Sequence, residues 1–346
     1  MTLTVSHPSA EELYEKLRNI SVDNPACTYT YERCLRLTPL IKRIQELKAE
    51  KNALILAHVY VHPDIVFGVA DFVGDSYGLS KKALAASEEI IVFPSVRFMA
   101  ETAKLLSPEK TVIDPNPNGG CSLADSVTAE DVYRLREKYP DHTFVCYINT
   151  TAAVKAACDV CVTSSNIYRI LENLPTDKIY FVPDRLMGEN ARNFLKKKGI
   201  DKEILIYPGT CYVHEQIEPE TVDFIRQNHP DVVVLAHPEC KPEVVAKANV
   251  VGSTTQMHQY VLEHQDEKNP FLLLSECGVA SRLAVEAPKA RLIGGCTMCK
   301  YMRSNSLDSI SKALSDPLPS QIVEIDSAIQ KRARECIERM FIYAEI

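Results

Sequence analysis

Three cysteines recur at one internal position along this chain, each in a loop suited to close approach. Cys121 ends Asn118-Gly-Gly-Cys121, Cys211 ends Pro208-Gly-Thr-Cys211, and Cys299 ends Gly294-Gly-Cys-Thr-Met-Cys299. They fall 63, 64 and 62 residues after His58, Tyr147 and His237, each of which closes a short apolar run. Glycine lets backbone approach closely, and loops that follow strands line ligand sites in α/β proteins. Three converging thiolates bind a soft metal centre. A 4Fe–4S cluster normally takes four cysteines; three leave one iron open, as the open position does at catalytic zinc. Zinc with a water as fourth ligand is the rival reading, and three neighbouring thiols without metal is the bland one.

The same test sorts the other cysteines, of which the chain has 12 in all. A cytosolic chain of 346 residues needs no disulfide staples. Its cysteines are mostly buried small hydrophobes. Cys146 corresponds to Ala57 and Ala236, Cys158 to Ala70 and Ala248, and Cys161 to Val73 and Val251. Cys158-Asp-Val-Cys161 therefore imitates a metal-binding pair and reads as core. Cys296-Thr-Met-Cys299 is a second C-x-x-C; the repeat spacing favours Cys299 as ligand. Cys296 is then a bystander or a redox partner of Cys299.

Polar residues occupy the strand ends that the cysteine loops accompany. His58/Tyr60, Tyr147/Asn149 and His237/Glu239 stand two residues apart, which sends both side chains to one side of an extended segment. Ser76, Ser164 and Ser253-Thr254 end the second short strands just ahead of helical stretches, where hydroxyls and free amides make an anion site. Tyr60, His237 and Glu239 can move protons. The hydroxyls can hold carboxylate or phosphate, and His214, three residues past Cys211, is a further contact. An open metal site supplies a Lewis acid. These residues together describe a metal-assisted lyase or condensing enzyme acting on a small anionic substrate.

The elements that must position them repeat with a period near 90 residues: His58, Tyr147 and His237 are 89 and 90 apart. Each repeat opens on a helical pattern, at Thr38-Pro39, Thr128 or Glu218-Pro219, and continues into an apolar run such as Ala53-Leu-Ile-Leu-Ala-His. Such runs suit strands covered on both faces. Strand-plus-helix starts recur at Ile90, Ile179 and, more weakly, Phe271-Leu-Leu-Leu-Ser-Glu-Cys-Gly. The expected fold is α/β, with three pseudo-equivalent three-layer αβα domains related by approximate three-fold symmetry. Their limits are 38–127, 128–217 and 218–306, between an extension at 1–37 and a helical tail at 307–346. In the tail Ile322, Ile325, Ile329 and Ala333 recur at helical spacing. With 46 acidic and 39 basic residues the net charge is −7, which argues against nucleic-acid or anionic-membrane binding. No apolar run reaches the roughly 18 residues of a membrane span. Met1 to Glu12 lacks a signal pattern, so a cytoplasmic location is expected.

At these residues the sequence resembles the quinolinate synthase family, iron–sulfur enzymes of de novo NAD biosynthesis. The matching stretches include Leu56-Ala-His-Val-Tyr60, Ala70-Asp-Phe-Val-Gly-Asp-Ser76, Phe98-Met-Ala-Glu-Thr-Ala103, Gly120-Cys-Ser-Leu-Ala-Asp125, Tyr147-Ile-Asn149, Thr163-Ser-Ser-Asn166, Cys211-Tyr-Val-His-Glu215, His237-Pro-Glu-Cys240 and Val251-Gly-Ser-Thr254. The family commonly has Cys-Pro before Met-x-x-Asn; here the stretch reads Cys299-Lys-Tyr-Met-Arg-Ser-Asn. The resemblance implies a 4Fe–4S cluster on Cys121, Cys211 and Cys299 at the centre of the three domains. It implies condensation of iminoaspartate with dihydroxyacetone phosphate to quinolinate, losing phosphate and two waters. His58, Tyr60, Ser76, Tyr147, Asn149, Ser164, His214, His237, Glu239, Ser253 and Thr254 would line the pocket. Tyr60 and Glu239 would transfer protons, and the open iron would bind substrate and assist the last dehydration. An L-aspartate oxidase or dehydrogenase would supply the iminoaspartate, and a homodimer is an open expectation. An aconitase-like hydratase and a non-catalytic zinc protein are the alternatives.

Overall fold

The computed structural model describes residues 7–20 and 28–346. Residues 1–6, the start of the stretch without a signal pattern, and Cys27 lie outside the described residues. Helix α1 (Ala10–Leu17) opens on a capping box between Ser9 and Glu12. Helix α2 (Tyr31–Glu50) is capped by Thr30, so the expected helix start at Thr38-Pro39 is displaced and Pro39 lies inside the helix. Cys34, Ile41, Ile44 and Leu47 are buried on both sides of the proline. One apolar stripe thus outweighs the N–H that Pro39 removes. The Thr38 hydroxyl meanwhile donates to the Cys34 carbonyl at 2.9 Å.

Three sheets follow, each with the same sequence of elements. The first contains β1 (Ala53–His58), α3 (Pro63–Gly68), β2 (Phe72–Gly74), α4 (Ser76–Ala85), β3 (Ile90–Val92), α5 (Arg97–Leu106) and β4 (Thr111–Ile113). The second is preceded by α6 (Ala129–Lys138). It contains β5 (Thr143–Tyr147), α7 (Ala152–Ala157), β6 (Val160–Val162), α8 (Ile167–Asn173), β7 (Lys178–Val182), α9 (Arg185–Lys197) and β8 (Glu203–Ile206). After the one-turn α10 (Tyr212–Glu215), α11 (Pro219–Asn228) leads into the third. This holds β9 (Val233–Ala236), α12 (Pro242–Lys247), β10 (Val250–Val251), α13 (Thr254–His264), β11 (Phe271–Leu274), α14 (Cys277–Glu286) and β12 (Leu292–Ile293). The three sheets have the orders β2-β1-β3-β4, β6-β5-β7-β8 and β10-β9-β11-β12, with parallel pairing throughout. Parallel strands need crossovers, and the helices that provide them cover both faces, which is why the central strands are buried along most of their length.

Strand register carries the repeat down to single residues. Ala57 pairs with Val73, Cys146 with Cys161 and Ala236 with Val251. Cys146, Cys158 and Cys161 are buried, and Cys146 Sγ lies 3.6 Å from Cys336 Sγ in α16 (Ser327–Glu345). That helix packs against α7, β6 and α8, and α15 (Leu307–Ser315) packs on α2. The tail's helical register is narrower than its pattern suggests. Asp326 caps α16, so Ile322 and Ile325 precede it, and Ile322 forms an antiparallel bridge with Ile113.

The cores are distributed unevenly. The first two sheets and the tail share one continuous cluster. The third sheet has one cluster on each face: Phe271 and Leu273 on one side, Leu272 and Leu274 on the other. Among the described residues no helix is long and apolar enough to cross a membrane. Replacing the fully buried Ile337 of α16 by Ala should lower the unfolding free energy by about 2–4 kcal/mol through an unfilled cavity, read by urea denaturation.

Candidate active site

In each sheet the chain leaves the first strand to one side and reaches the third strand on the other. A crevice therefore opens between them at the C-terminal strand ends. The three crevices face one cavity of about 70 Å³. His58 ends β1 and Tyr60 follows it; Tyr147 ends β5 and Asn149 follows; His237 and Glu239 follow β9. Cys121, Cys211 and Cys299 come from the loops after β4, β8 and β12. Ser76, Ser164, Thr254 and His214 complete the predicted residues that line the cavity.

Ser253 does not line it. As N-cap of α13 it accepts the Gln256 N–H and donates to Asp75 Oδ2 at 2.9 Å, fully buried. Asp75 in turn caps α4 ahead of Ser76, so one hydroxyl ties the first sheet's helix start to the third's. Thr254 Oγ1 is buried without a hydrogen-bond partner on the cavity wall, an acceptor and donor free for a ligand.

Glu239 is the electrostatic centre. Its Oε1 accepts from the Tyr147 hydroxyl at 2.5 Å, and its Oε2 lies 2.9 Å from His214 Nδ1. Burial opposes its ionisation, but His214, His237 and the Tyr147 hydroxyl outweigh burial and hold the carboxyl below its ordinary range. Burial, reinforced by the Glu239 charge, pushes the Tyr147 phenol well up. Burial likewise raises the Tyr60 phenol, against the hydrogen bond it shares with Ser275. His58 is lowered to about 4 by burial, and His237 to about 3 by burial and the neighbouring His214. Each of these two rings accepts a backbone N–H at Nδ1, from Tyr60 at 3.2 Å and Glu239 at 3.3 Å. Both are therefore neutral, with the ring proton on Nε2.

The cysteine loops are fixed from behind. The Cys121 N–H donates to Asp125 at 3.2 Å and the Cys299 N–H to Glu276 at 3.1 Å. Glu276 also accepts from the Gly278 N–H and pairs with Arg303 at 3.4 Å. Cys211 Sγ lies 3.3 Å from His214 Nδ1. Burial raises all three thiols, Cys121 to about 12, so only a cation among them would keep them as thiolates. Among the described residues, the trio of ligand atoms within 4.8 Å of one another is Cys211, His214 and Glu239. Cys121, Cys211 and Cys299 all line the same cavity, and three cysteines are a donor set suited to a soft metal centre.

Cys296 proves to be neither bystander nor partner of Cys299: it is disulfide-bonded to Cys277, with the Cα atoms 5.1 Å apart. A bridge between Glu276 and Thr297 lays this loop along the start of α14, beside Cys277, and turns Cys299 toward the cavity. Sequence reasoning also missed Asp75, Ser275, Tyr212 and Tyr301. Asp75 adjoins Ser76 within a matched stretch and could have been found; Tyr212 and Tyr301 carry no repeat signal.

A three-sheet α/β frame gathers three cysteine loops and buried acid–base groups around one cavity, the arrangement of an enzyme active site. Comparison with known proteins narrows it. Residues 42–342 match the family model for quinolinate synthetase A protein. The chain is similar to quinolinate synthase 2 of Mesorhizobium japonicum, 42% identical over 331 residues, covering 93% of this chain and 99% of that one. It is also similar to quinolinate synthases of Xylella fastidiosa (42% over 335 residues, 94% and 96% covered) and Caldicellulosiruptor saccharolyticus (42% over 303 residues, 87% and 97% covered). The chain belongs to the quinolinate synthetase A family, and it is an enzyme.

Two outcomes check this geometry. His58 and His237 titrate below their ordinary value near 6.5, so the unfolded chain binds protons that the native state refuses. Stability is then full above pH 6.5 and falls as the pH drops toward 4; urea midpoints across that window should decline, and less steeply in His58→Asn. A Cβ at Gly278 would meet the Val59 carbonyl at 2.2 Å and Tyr60 Cα at 2.7 Å. Gly278→Ala should therefore lower the thermal midpoint, at a cost of about 1–3 kcal/mol.

Proposed function

We propose that this enzyme condenses iminoaspartate with dihydroxyacetone phosphate to quinolinate, releasing phosphate and two waters. The observation that carries the reading is the single cavity shared by three cysteine loops and an ionised glutamate with its tyrosine and histidine partners. Cys121, Cys211 and Cys299 would hold a 4Fe–4S cluster, and the three units would surround it with approximate three-fold symmetry. When bound, the cluster supplies a Lewis-acidic iron with an open position.

The chain's own residues account for the rest. Glu239, kept ionised, is the acceptor for a carbon- or nitrogen-bound proton of the substrate, and Tyr60 is its counterpart across the cavity. Neutral His58 and His237 offer Nε2–H donors to substrate oxygens. Ser76 at the first turn of the ten-residue α4, Ser164, Asn149 and the free hydroxyl of Thr254 hold carboxylate and phosphate groups. Ser253 acts one step removed, by fastening Asp75 beside Ser76. An aspartate oxidase or dehydrogenase would feed the reaction, because iminoaspartate hydrolyses quickly and must be made nearby.

Anaerobically purified protein should contain iron and sulfide in near-equal amounts and little zinc. Supplied with iminoaspartate generated in situ and dihydroxyacetone phosphate, it should form quinolinate. A colourless protein with one zinc and no sulfide would sink the proposal. Cys121→Ala, Cys211→Ala and Cys299→Ala should each lose the cluster, while Cys158→Ala and Cys161→Ala keep it. Glu239→Gln and Tyr60→Phe should retain iron yet lower kcat by about 10²–10⁴-fold.

A further inference from the structure

Ser275 lies between β11 and the Glu276 cap of α14. It is buried, and its hydroxyl touches two side chains: Tyr60 OH at 2.9 Å and His214 Nε2 at 3.1 Å. With the contacts of Glu239 this makes one unbroken chain, Tyr60–Ser275–His214–Glu239–Tyr147, drawn from all three units.

The corresponding positions ahead of the caps of α5 and α9 show what is particular about this one. Ser95 precedes the Val96 cap, and its hydroxyl turns back onto the carbonyls of Phe93 and Val96 at 3.5 and 3.3 Å. Pro183 precedes the Asp184 cap and has no hydroxyl. A serine at this turn can satisfy itself locally, as Ser95 does. Ser275 instead gives both of its hydrogen-bonding directions to side chains of other units.

Glu239 is an acceptor, so an Nδ1–H of His214 faces its Oε2. The Ser275 hydroxyl sits between His214 Nε2 and the Tyr60 phenol, hydrogen-bonded to both, and Tyr60 lies on the cavity wall. We propose that Ser275 is a positioning residue for this reaction, orienting the Tyr60 phenol and the His214 ring as one network ending on Glu239.

The proposal rests on the condensing reading above, so the experiment keeps the two apart. Wild-type quinolinate formation from in-situ iminoaspartate tests that reading alone. In holoenzyme, Ser275→Ala should lower kcat about ten- to a hundredfold, the effect of one lost buried hydrogen-bonding group. KM for dihydroxyacetone phosphate should stay within about twofold, with unchanged iron and sulfide content and visible absorbance. Ser275→Thr, which keeps the hydroxyl, should recover most of the rate. Wild-type kcat in Ser275→Ala, or Ser275→Thr no better than Ser275→Ala, would overturn it. If the alanine variant does not load iron, Ser275→Gly, which also lacks the hydroxyl, takes its place with the same expectations. Independently of turnover, a double-mutant cycle of Tyr60→Phe and Ser275→Ala on urea unfolding should give a combined loss smaller than the two single losses added. Strict additivity would also overturn the proposal, whatever the enzyme makes.

Discussion

A carboxylate buried as deeply as Glu239 stays ionised only where hydrogen-bond donors replace the water it has lost. Those donors do not come from its own unit. Tyr147 ends the second unit's first strand and His214 sits on the one-turn helix after the second unit's last strand, while Glu239 itself follows β9. The third unit therefore cannot be displaced from the second without leaving a bare charge on one side and unmatched polar groups on the other. The arrangement of strand ends around the cavity is subordinate to that requirement.

The first two units and the tail bury their apolar side chains in one continuous cluster, while the third has separate clusters on the two faces of its sheet, one of which takes in Val59 of the first unit. Polar and close contacts complete the junction: Ser253 to Asp75, Tyr60 to Ser275, and the tight seat of Gly278 against Val59. The groups that prepare the cavity for chemistry thus also hold its walls together. Changing them for catalytic reasons alters the assembly, which is why metal content and unfolding belong beside every rate.

Much of this was legible in the sequence, because parallel strands buried on both faces write themselves as apolar runs and a repeated unit writes them three times. The equivalence of Ala57, Cys146 and Ala236 appears in the strand registers. The cysteine loops and strand-end polar pairs were found the same way, since each has a counterpart at the same internal position. Failures came where a residue's partner is set by tertiary packing. The stripe on α2 carries the helix through Pro39, against the local signal. Cys296 pairs with Cys277 because a single bridge at Thr297 lays two distant segments side by side. Ser253 shares its neighbours' grammar yet faces Asp75 rather than the cavity, a difference of one side-chain direction.

The docking of α16 on the second unit has a consequence for how the chain is made. Cys336 reaches Cys146 across 190 residues of sequence, and Ala333, Ile337 and Met340 are buried around it. During synthesis at about 5–20 residues per second, the second unit is complete roughly 6–26 s before the helix that covers it. Its sheet must wait on the ribosome with one apolar flank open, while the whole third unit is being translated. The second unit is therefore closed only by the last helix to be made, and its open flank is a place for a chaperone to bind during synthesis.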